Sequence, residues 1–254
     1  MSKKGAIGID IGGTGIKGGY VNTKTGEFIT DRVREMTPAG GEPEDIARVT
    51  REVIARLGAK PHTPVGIAFP SSIKNGVTQL AANVSKKWIG FEAEKFFEKE
   101  LDSPITFVND ADAAGIAEVR YGDAEARQGM VLLTTLGTGI GSAIIYKGRL
   151  VPNTELGHLE IDGHDAESRA ANVIRERENL SWEEWAGRLQ RYYEHLEMLF
   201  SPDLFIVGGG VSKEAENFLP LLNLKTPIIA AKLQNRAGIF GAAYLARKAS
   251  EHSE

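Results

Sequence analysis

The sequence predicts an α/β protein of two lobes with an interdomain cleft. Three observations carry that expectation. The tetrapeptide Gly13-Thr14-Gly15-Ile16 recurs as Gly137-Thr138-Gly139-Ile140 about half a chain later. In each copy one apolar run enters and another leaves (Ala6 to Ile11 and Ile16 to Val21; Met130 to Leu133 and Ile140 to Tyr146), which is the pattern of a β-hairpin. Helical and strand-like segments then follow each hairpin in a repeated plan. The expected lobes are residues 1–110 with a C-terminal helix 236–250, the smaller, and residues 111–235, the larger.

The elements come in this order. After the first hairpin, Asn22 to Gly26 turns into a third strand at Phe28 to Arg34. Pro43 opens a helix whose Ile46, Val49, Val53, Ile54 and Leu57 keep helical spacing, and Gly58 ends it. Val65 to Phe69 reads as a buried strand and Pro70-Ser71-Ser72 as a turn. The stretch to Trp88 reads as irregular, Phe91 to Glu100 as a short helix and Ile105 to Val108 as a strand. Asn109-Asp110 then stands before an alanine-rich helix. In the second half a hairpin at 130–146 is followed by a polar loop, Pro152 to Asp165, and by helices. Residues 181–199 make the clearest helix. Ser181 and Glu184 form a capping box, and Trp185, Leu189, Tyr192, Leu196 and Leu199 make one apolar stripe, suited to core or dimer packing. Leu204 to Val207 reads as a strand ending in Gly208-Gly209-Gly210, with Ser212 as the N-cap of a helix after it. The last helix spans about Gln234 to Lys248 and is expected to pack back on the first lobe.

Composition narrows the function. The 254 residues are 42% hydrophobic and 25% charged, ordinary for a globular protein. A net charge of −4 argues against general nucleic-acid binding. There is no cysteine, which excludes disulfides and thiolate metal sites. The start lacks a signal core and no run approaches a membrane span, so a cytoplasmic location is expected.

Both Gly-Thr-Gly turns suit phosphate. Glycine removes the Cβ and leaves backbone N–H groups able to surround an anion. Around the first turn Asp10, Gly12, Gly13, Thr14, Gly15 and Lys17 are the candidates, with Asp10 able to hold a metal through water and Thr14 and Lys17 aimed at phosphate oxygens. Around the second they are Thr135, Gly137, Thr138 and Gly139, beside Thr134 and Gly141. Gly208, Gly209 and Gly210 suit either a nucleotide at a helix start or a plain tight turn. Gly13, Gly15 and Gly18 also spell G-x-G-x-x-G. A dinucleotide site would need that motif to open a helix, and here it continues as a strand. Asp110, between a strand and a helix, suits a base that takes a proton from a phosphoryl acceptor. Asp112 suits the helix dipole instead. Asn83, Asn109, Asp110, Glu155, His158 and Glu167 are planar polar groups of the kind that bind sugar hydroxyls. A metal held by His158, His164 and Asp165 lacks further ligands at firm spacing.

Taken together, Ile9-Asp10-Ile11-Gly12-Gly13-Thr14, Val108-Asn109-Asp110-Ala111-Asp112, Leu136 to Gly141, Glu155-Leu156-Gly157-His158 and Val207 to Gly210 resemble the ROK sugar kinases. The resemblance implies the actin-like ATPase (ribonuclease H-like) fold of the hexokinase-like superfamily. It implies Asp110 as the base for the sugar 6-hydroxyl, Asn83, Asn109, Glu155, His158 and Glu167 as ligands of the other hydroxyls, and a homodimer. Most of the family holds a structural zinc through cysteines that this chain lacks, so no zinc is expected and His158 is expected to bind sugar only. The cysteine-free run Pro152 to Glu160, with Ala81 to Val84, Trp88-Ile89-Gly90, Ser201 to Ile206 and Leu233 to Ile239, is similar to the polyphosphate glucokinases. That implies Mg²⁺-dependent phosphorylation of glucose, and of mannose as a second sugar, from polyphosphate or ATP. Lys17, Lys74, Lys86, Lys87 and Arg120 are candidates for a basic track. Pro70-Ser71-Ser72 departs from the family's usual Pro-Gly, which bears on sugar preference. The alternatives are a strictly ATP-dependent hexokinase and a non-catalytic sugar sensor. A transcription factor would need an N-terminal helix-turn-helix, for which a strand starting near Gly5 is expected to leave no room.

Overall fold

The computed structural model describes residues 5–81, 84–122 and 128–252. It divides into two compact units, Met1–Ala117 with Arg236–Glu254, and Glu118–Asn235.

The first unit is built on a six-stranded sheet. Strands β1 (Gly5–Gly12) and β2 (Gly15–Asn22) form the hairpin, β3 (Glu27–Phe28) and β4 (Val33–Glu35) both pair with β2, and helix α1 (Pro43–Arg56) follows. Strand β5 (Val65–Phe69) lies parallel to β1. A small hairpin, β6 (Ile73–Lys74) and β7 (Val77–Thr78), helix α2 (Ala93–Leu101), strand β8 (Ile105–Asn109) and helix α3 (Asp110–Tyr121) come next, and β8 extends the sheet beside β5. The expected third strand is broken in two: residues 29–32 lie outside both short strands, and Ile29 is exposed although its N–H still donates to the Tyr20 carbonyl at 2.7 Å. The stretch expected to be irregular holds β6 and β7. Asn75 and Gly76, both at positive φ (53° and 75°), make the two-residue turn that joins them.

The two faces of this sheet are chemically different, and the period of two explains why. Ile7, Ile9, Ile11, Val65, Ile67, Phe69, Ile105 and Phe107 point into a core with α1 and α2 that includes Trp88 and Phe97. The alternate residues are small: Gly8, Gly66 and Ala68. They let the last helix, residues Ala237–His252, lie against the backbone. A Cβ on Gly8 would stand 1.9 Å from the Ile239 carbonyl oxygen, and one on Gly66 would stand 2.0 Å from that of Ala242. Asp10 sits on this small-residue face, with Gly238 at its carboxylate.

The second unit repeats the plan. Strands β9 (Met130–Leu136) and β10 (Ile140–Tyr146) form a hairpin, extended by β11 (Arg149–Val151). A two-stranded ribbon, β12 (Glu160–Ile161) and β13 (His164–Asp165), leads into α4 (Glu167–Ala170), α5 (Asn172–Arg177) and α6 (Trp182–Phe200). Strands β14 (Leu204–Gly208) and β15 (Ile228–Ala230) complete a sheet ordered β11-β10-β9-β14-β15, with β14 parallel to β9 as β5 is to β1. The capping box of Ser181 and Glu184 opens α6. Its stripe is core: Trp185, Leu189, Tyr192 and Leu196 are buried against the sheet, while Leu199 is 49% exposed. The final helix, α7 (Ala237–His252), belongs to the first unit.

Candidate active site

In the first unit the Gly12–Gly15 turn closes the β1–β2 hairpin with Gly13 and Thr14 exposed. Asp10 and Lys17 are directly opposed across the ladder, and Lys17 Nζ lies 3.0 Å from the Asp10 carboxylate. That carboxylate also meets the first turn of α7 at Gly238. The N-terminal end of a helix carries partial positive charge, so Asp10 is held between a lysine and a helix start. Thr37, which sequence reasoning did not single out, donates its hydroxyl to the Gly12 carbonyl at 2.5 Å.

Strand β8 delivers Asn109 and Asp110 to the start of α3. Asn109 is only 8% exposed, and both ends of its amide are engaged. Its Nδ2 donates to the Ser71 carbonyl at 3.1 Å, and its Oδ1 accepts the Asp112 N–H at 3.0 Å. It therefore caps α3 and ties the helix to the Pro70-Ser71-Ser72 turn. Asp110 is partly exposed in the first helical turn, its Oδ1 accepting the Ala111 N–H at 2.8 Å. Asp112 is buried in the same turn. Asn83 lies outside the described residues. Of the basic-track candidates, Lys87 is paired with Glu42 at 2.7 Å.

The second unit gathers Glu155, His158 and Glu167. Leu156 N–H donates to Ser142 Oγ at 2.9 Å, and that hydroxyl donates to the Thr154 carbonyl at 2.7 Å, pinning the segment to β10. Gly157 explains the Glu-x-Gly-His spacing, since a Cβ there would stand 2.2 Å from the Ile140 carbonyl oxygen. The His158 side chain thus sits beside the end of the second Gly-Thr-Gly turn. Glu167 closes the connection: its Oε2 accepts the Ile140 N–H at 3.0 Å, and its Oε1 is 4.0 Å from His158 Nδ1. The turn is further held by Gly137 N–H to the Gly139 carbonyl and Val173 N–H to the Gly137 carbonyl, both 3.0 Å.

Burial pushes the Glu155 carboxyl above its ordinary value; His158 opposes the rise and Glu167 adds to it. The bond to Asp165 raises His158, partial burial lowers it, and the Glu167, Asp165 and Glu155 charges raise it further. His158, Asp165 and Glu167 are a triad, among the described residues, with ligand-type atoms within 4.8 Å of one another. His158 Nδ1 is bonded to Asp165 at 2.9 Å, so the triad is a hydrogen-bonded cluster. Asp165 entered the sequence reading only through a discarded metal site.

Two expectations are corrected here. Thr134 faces away from the second turn, into the core, where its hydroxyl meets that of Tyr193 at 2.7 Å; Thr135, the next residue of the strand, faces the other way. Ser212 is not an N-cap. Gly209 holds that position, at φ 85°, where a Cβ would stand 2.4 Å from the Leu136 carbonyl oxygen, and Ser212 donates its hydroxyl back to the Gly209 carbonyl. The second unit also carries an open pocket of about 260 Å³ near His164, Arg169, Arg188 and Tyr192, lined by none of the expected site residues. No helix among the described residues is long and apolar enough to cross a membrane.

Comparison with known proteins places these features. Residues 6–173 match the ROK family. The chain is 46% identical over 243 residues to a polyphosphate glucokinase of Mycobacterium leprae, covering 95% of this chain and 74% of that one. It is 45% identical to the polyphosphate glucokinase of Mycobacterium tuberculosis strain H37Rv, covering 95% and 91%. Among solved structures, the inorganic polyphosphate/ATP-glucomannokinase of Arthrobacter sp. strain KM superposes with a TM-score of 0.91 at 53% identity, covering 96% of this chain and 99% of that one. A ROK glucokinase of Streptomyces griseus, solved with glucose and AMPPNP, gives 0.83 at 25% identity, with 96% and 99% covered.

Proposed function

The chain belongs to the ROK family of the actin-like ATPase fold, and from that premise we propose that it is a glucokinase that transfers a phosphoryl group from inorganic polyphosphate, and from ATP, to the 6-hydroxyl of glucose, with mannose as a second acceptor. The observation that supports this most is the bond from the Ile140 N–H to Glu167. It joins a cluster of hydroxyl-binding side chains to a phosphate-type turn through one hydrogen bond. The relatives named above for both donors support the same reading.

In this reading Glu155, His158 and Glu167, with Asn83 and Asn109, hold the sugar. Asp110 takes the proton of the 6-hydroxyl as its oxygen attacks the terminal phosphorus of the donor. The bond from that phosphorus to its bridging oxygen breaks. The products are glucose 6-phosphate and a polyphosphate one unit shorter, or ADP. Lys17, Thr14 and the N–H groups of both Gly-Thr-Gly turns offset phosphate charge, and Gly208 to Gly210 meet the far end of the donor.

Kinases of this kind require a divalent cation. A carboxylate that is 18% exposed, as Asp10 is, fits a hydrated cation that keeps most of its water. Mg²⁺ held there through water would supply charge neutralisation at the phosphate oxygens. A homodimer belongs to the same proposal and would be read by sedimentation. The test is product formation with each donor alone, using nucleotide-free protein. No glucose 6-phosphate with either donor would refute the proposal.

A further inference from the structure

One carboxylate outside the expected site touches two of its members. Asp165 Oδ2 is 2.9 Å from Nδ1 of His158, and its Oδ1 accepts the backbone N–H of Glu167 at 3.2 Å. Asp165 is fixed in turn. It pairs with Glu160 across the β12–β13 ribbon, and its carbonyl accepts the Ser168 hydroxyl at 2.6 Å. An isolated ion pair as exposed as this one contributes little. Two bonds from one carboxylate, to side chain and backbone of two separate segments, define an orientation.

An ionised carboxylate can only accept hydrogen bonds. The proton between the two groups therefore sits on His158 Nδ1, and Nε2 remains for a ligand. We propose that Asp165 is a positioning residue of the sugar site: it holds His158 as the Nδ1–H tautomer, so that Nε2 accepts from a sugar hydroxyl, and it fixes the start of α4, from which Glu167 reaches the Ile140 N–H. The proposal rests on the reading of this cluster as the sugar site. The charged groups facing His158 are Asp165 from β13, Glu167 from α4 and Glu155 just before the turn that carries the histidine. All three favour its protonated form. As pH falls through its raised value, Nε2 gains a proton and changes from acceptor to donor.

The test compares the full chain with Asp165→Asn, Asp165→Glu and Asp162→Asn. Asp162 lies in the same ribbon but pairs with Arg191 on α6. Two readouts are taken: glucose steady-state kinetics, and nitrogen-resolved imidazole NMR of His158, which reports tautomer and titration without turnover. Asp165→Asn should raise KM for glucose about ten-fold or more, the size of effect that loss of a carboxylate partner has on a metal-bound histidine, with a smaller change in kcat. It should also lower the His158 titration midpoint and populate the Nε2–H tautomer. Asp165→Glu should restore part of both effects, and Asp162→Asn should show neither. Unchanged KM or unchanged spectra in Asp165→Asn would overturn the proposal. A wild-type protein that phosphorylates no sugar would refute the proposed function, and the spectra would still decide the role of Asp165.

Discussion

Replacing Gly8 by alanine tests the close seating of α7 on the first sheet. The added Cβ would lie 1.9 Å from the Ile239 carbonyl oxygen, about 1.5 Å short of the 3.4 Å at which ordinary contact begins. The obstacle is backbone inside a helix, so no rotamer change relieves it. Helix and sheet must separate. Overpacking typically costs 1–3 kcal/mol, and a backbone clash belongs at the upper end, about 3 kcal/mol. For a chain of this size that is a fall in Tm of roughly 6–12 °C. Urea unfolding followed by circular dichroism, with a thermal melt, measures it. Gly187→Ala is the control. It lies in α6, a Cβ there meets nothing within 4 Å, and removing a helix-interior glycine should stabilise by roughly 0.5–1 kcal/mol. Because Asp10 lies on the same face as Gly8, turnover should fall in Gly8→Ala as well. A Gly8→Ala variant within about 1 °C of wild type would refute the packing derived from these small residues.

Three further outcomes rest on particular contacts. Asp110→Asn should reduce kcat by about 10²-fold or more while leaving glucose affinity within a few-fold by calorimetry; undiminished turnover would remove Asp110 from the base role. Glu155→Gln should raise Tm at neutral pH and raise KM for glucose. The Glu155 carboxyl is held above its ordinary 4.5, so its stabilising contribution is full below that value and lost as pH rises through the raised one. The gain in the glutamine variant should therefore vanish in melts below pH 4.5; a gain that grows on acidification would contradict the cause assigned. Ser181→Ala should cost about 1 kcal/mol in urea titration by removing the capping box of α6.

Much of this was legible in the chain because local chemistry and tertiary role coincide. The repeated Gly-Thr-Gly turns announced both hairpins. Pro43 and Gly58 bracket α1, and the Ser181–Glu184 box opens α6 where the spacing required. The misses have physical reasons. Ile29 looks like strand interior, yet it is exposed between two short pairings with β2. Asn75-Gly76 is a strong turn signal flanked by strands of two residues each, too short to show alternation. Thr134 and Thr135 are indistinguishable until the register of β9 assigns them to opposite faces. Asn109 is polar and stands at a strand end, as a ligand would; that its amide also caps α3 and holds Ser71 emerges only from the fold. Asp165 carried no motif. Its importance depends on the ribbon bringing it back onto His158, which no local pattern reveals.

The central claim is the donor and the acceptor. Nucleotide-free protein with Mg²⁺ and glucose should form glucose 6-phosphate when polyphosphate is the sole phosphoryl donor, and again when ATP is. Product with ATP alone would contradict the assigned donor and leave an ATP-dependent hexokinase; product with neither would contradict the account as a whole.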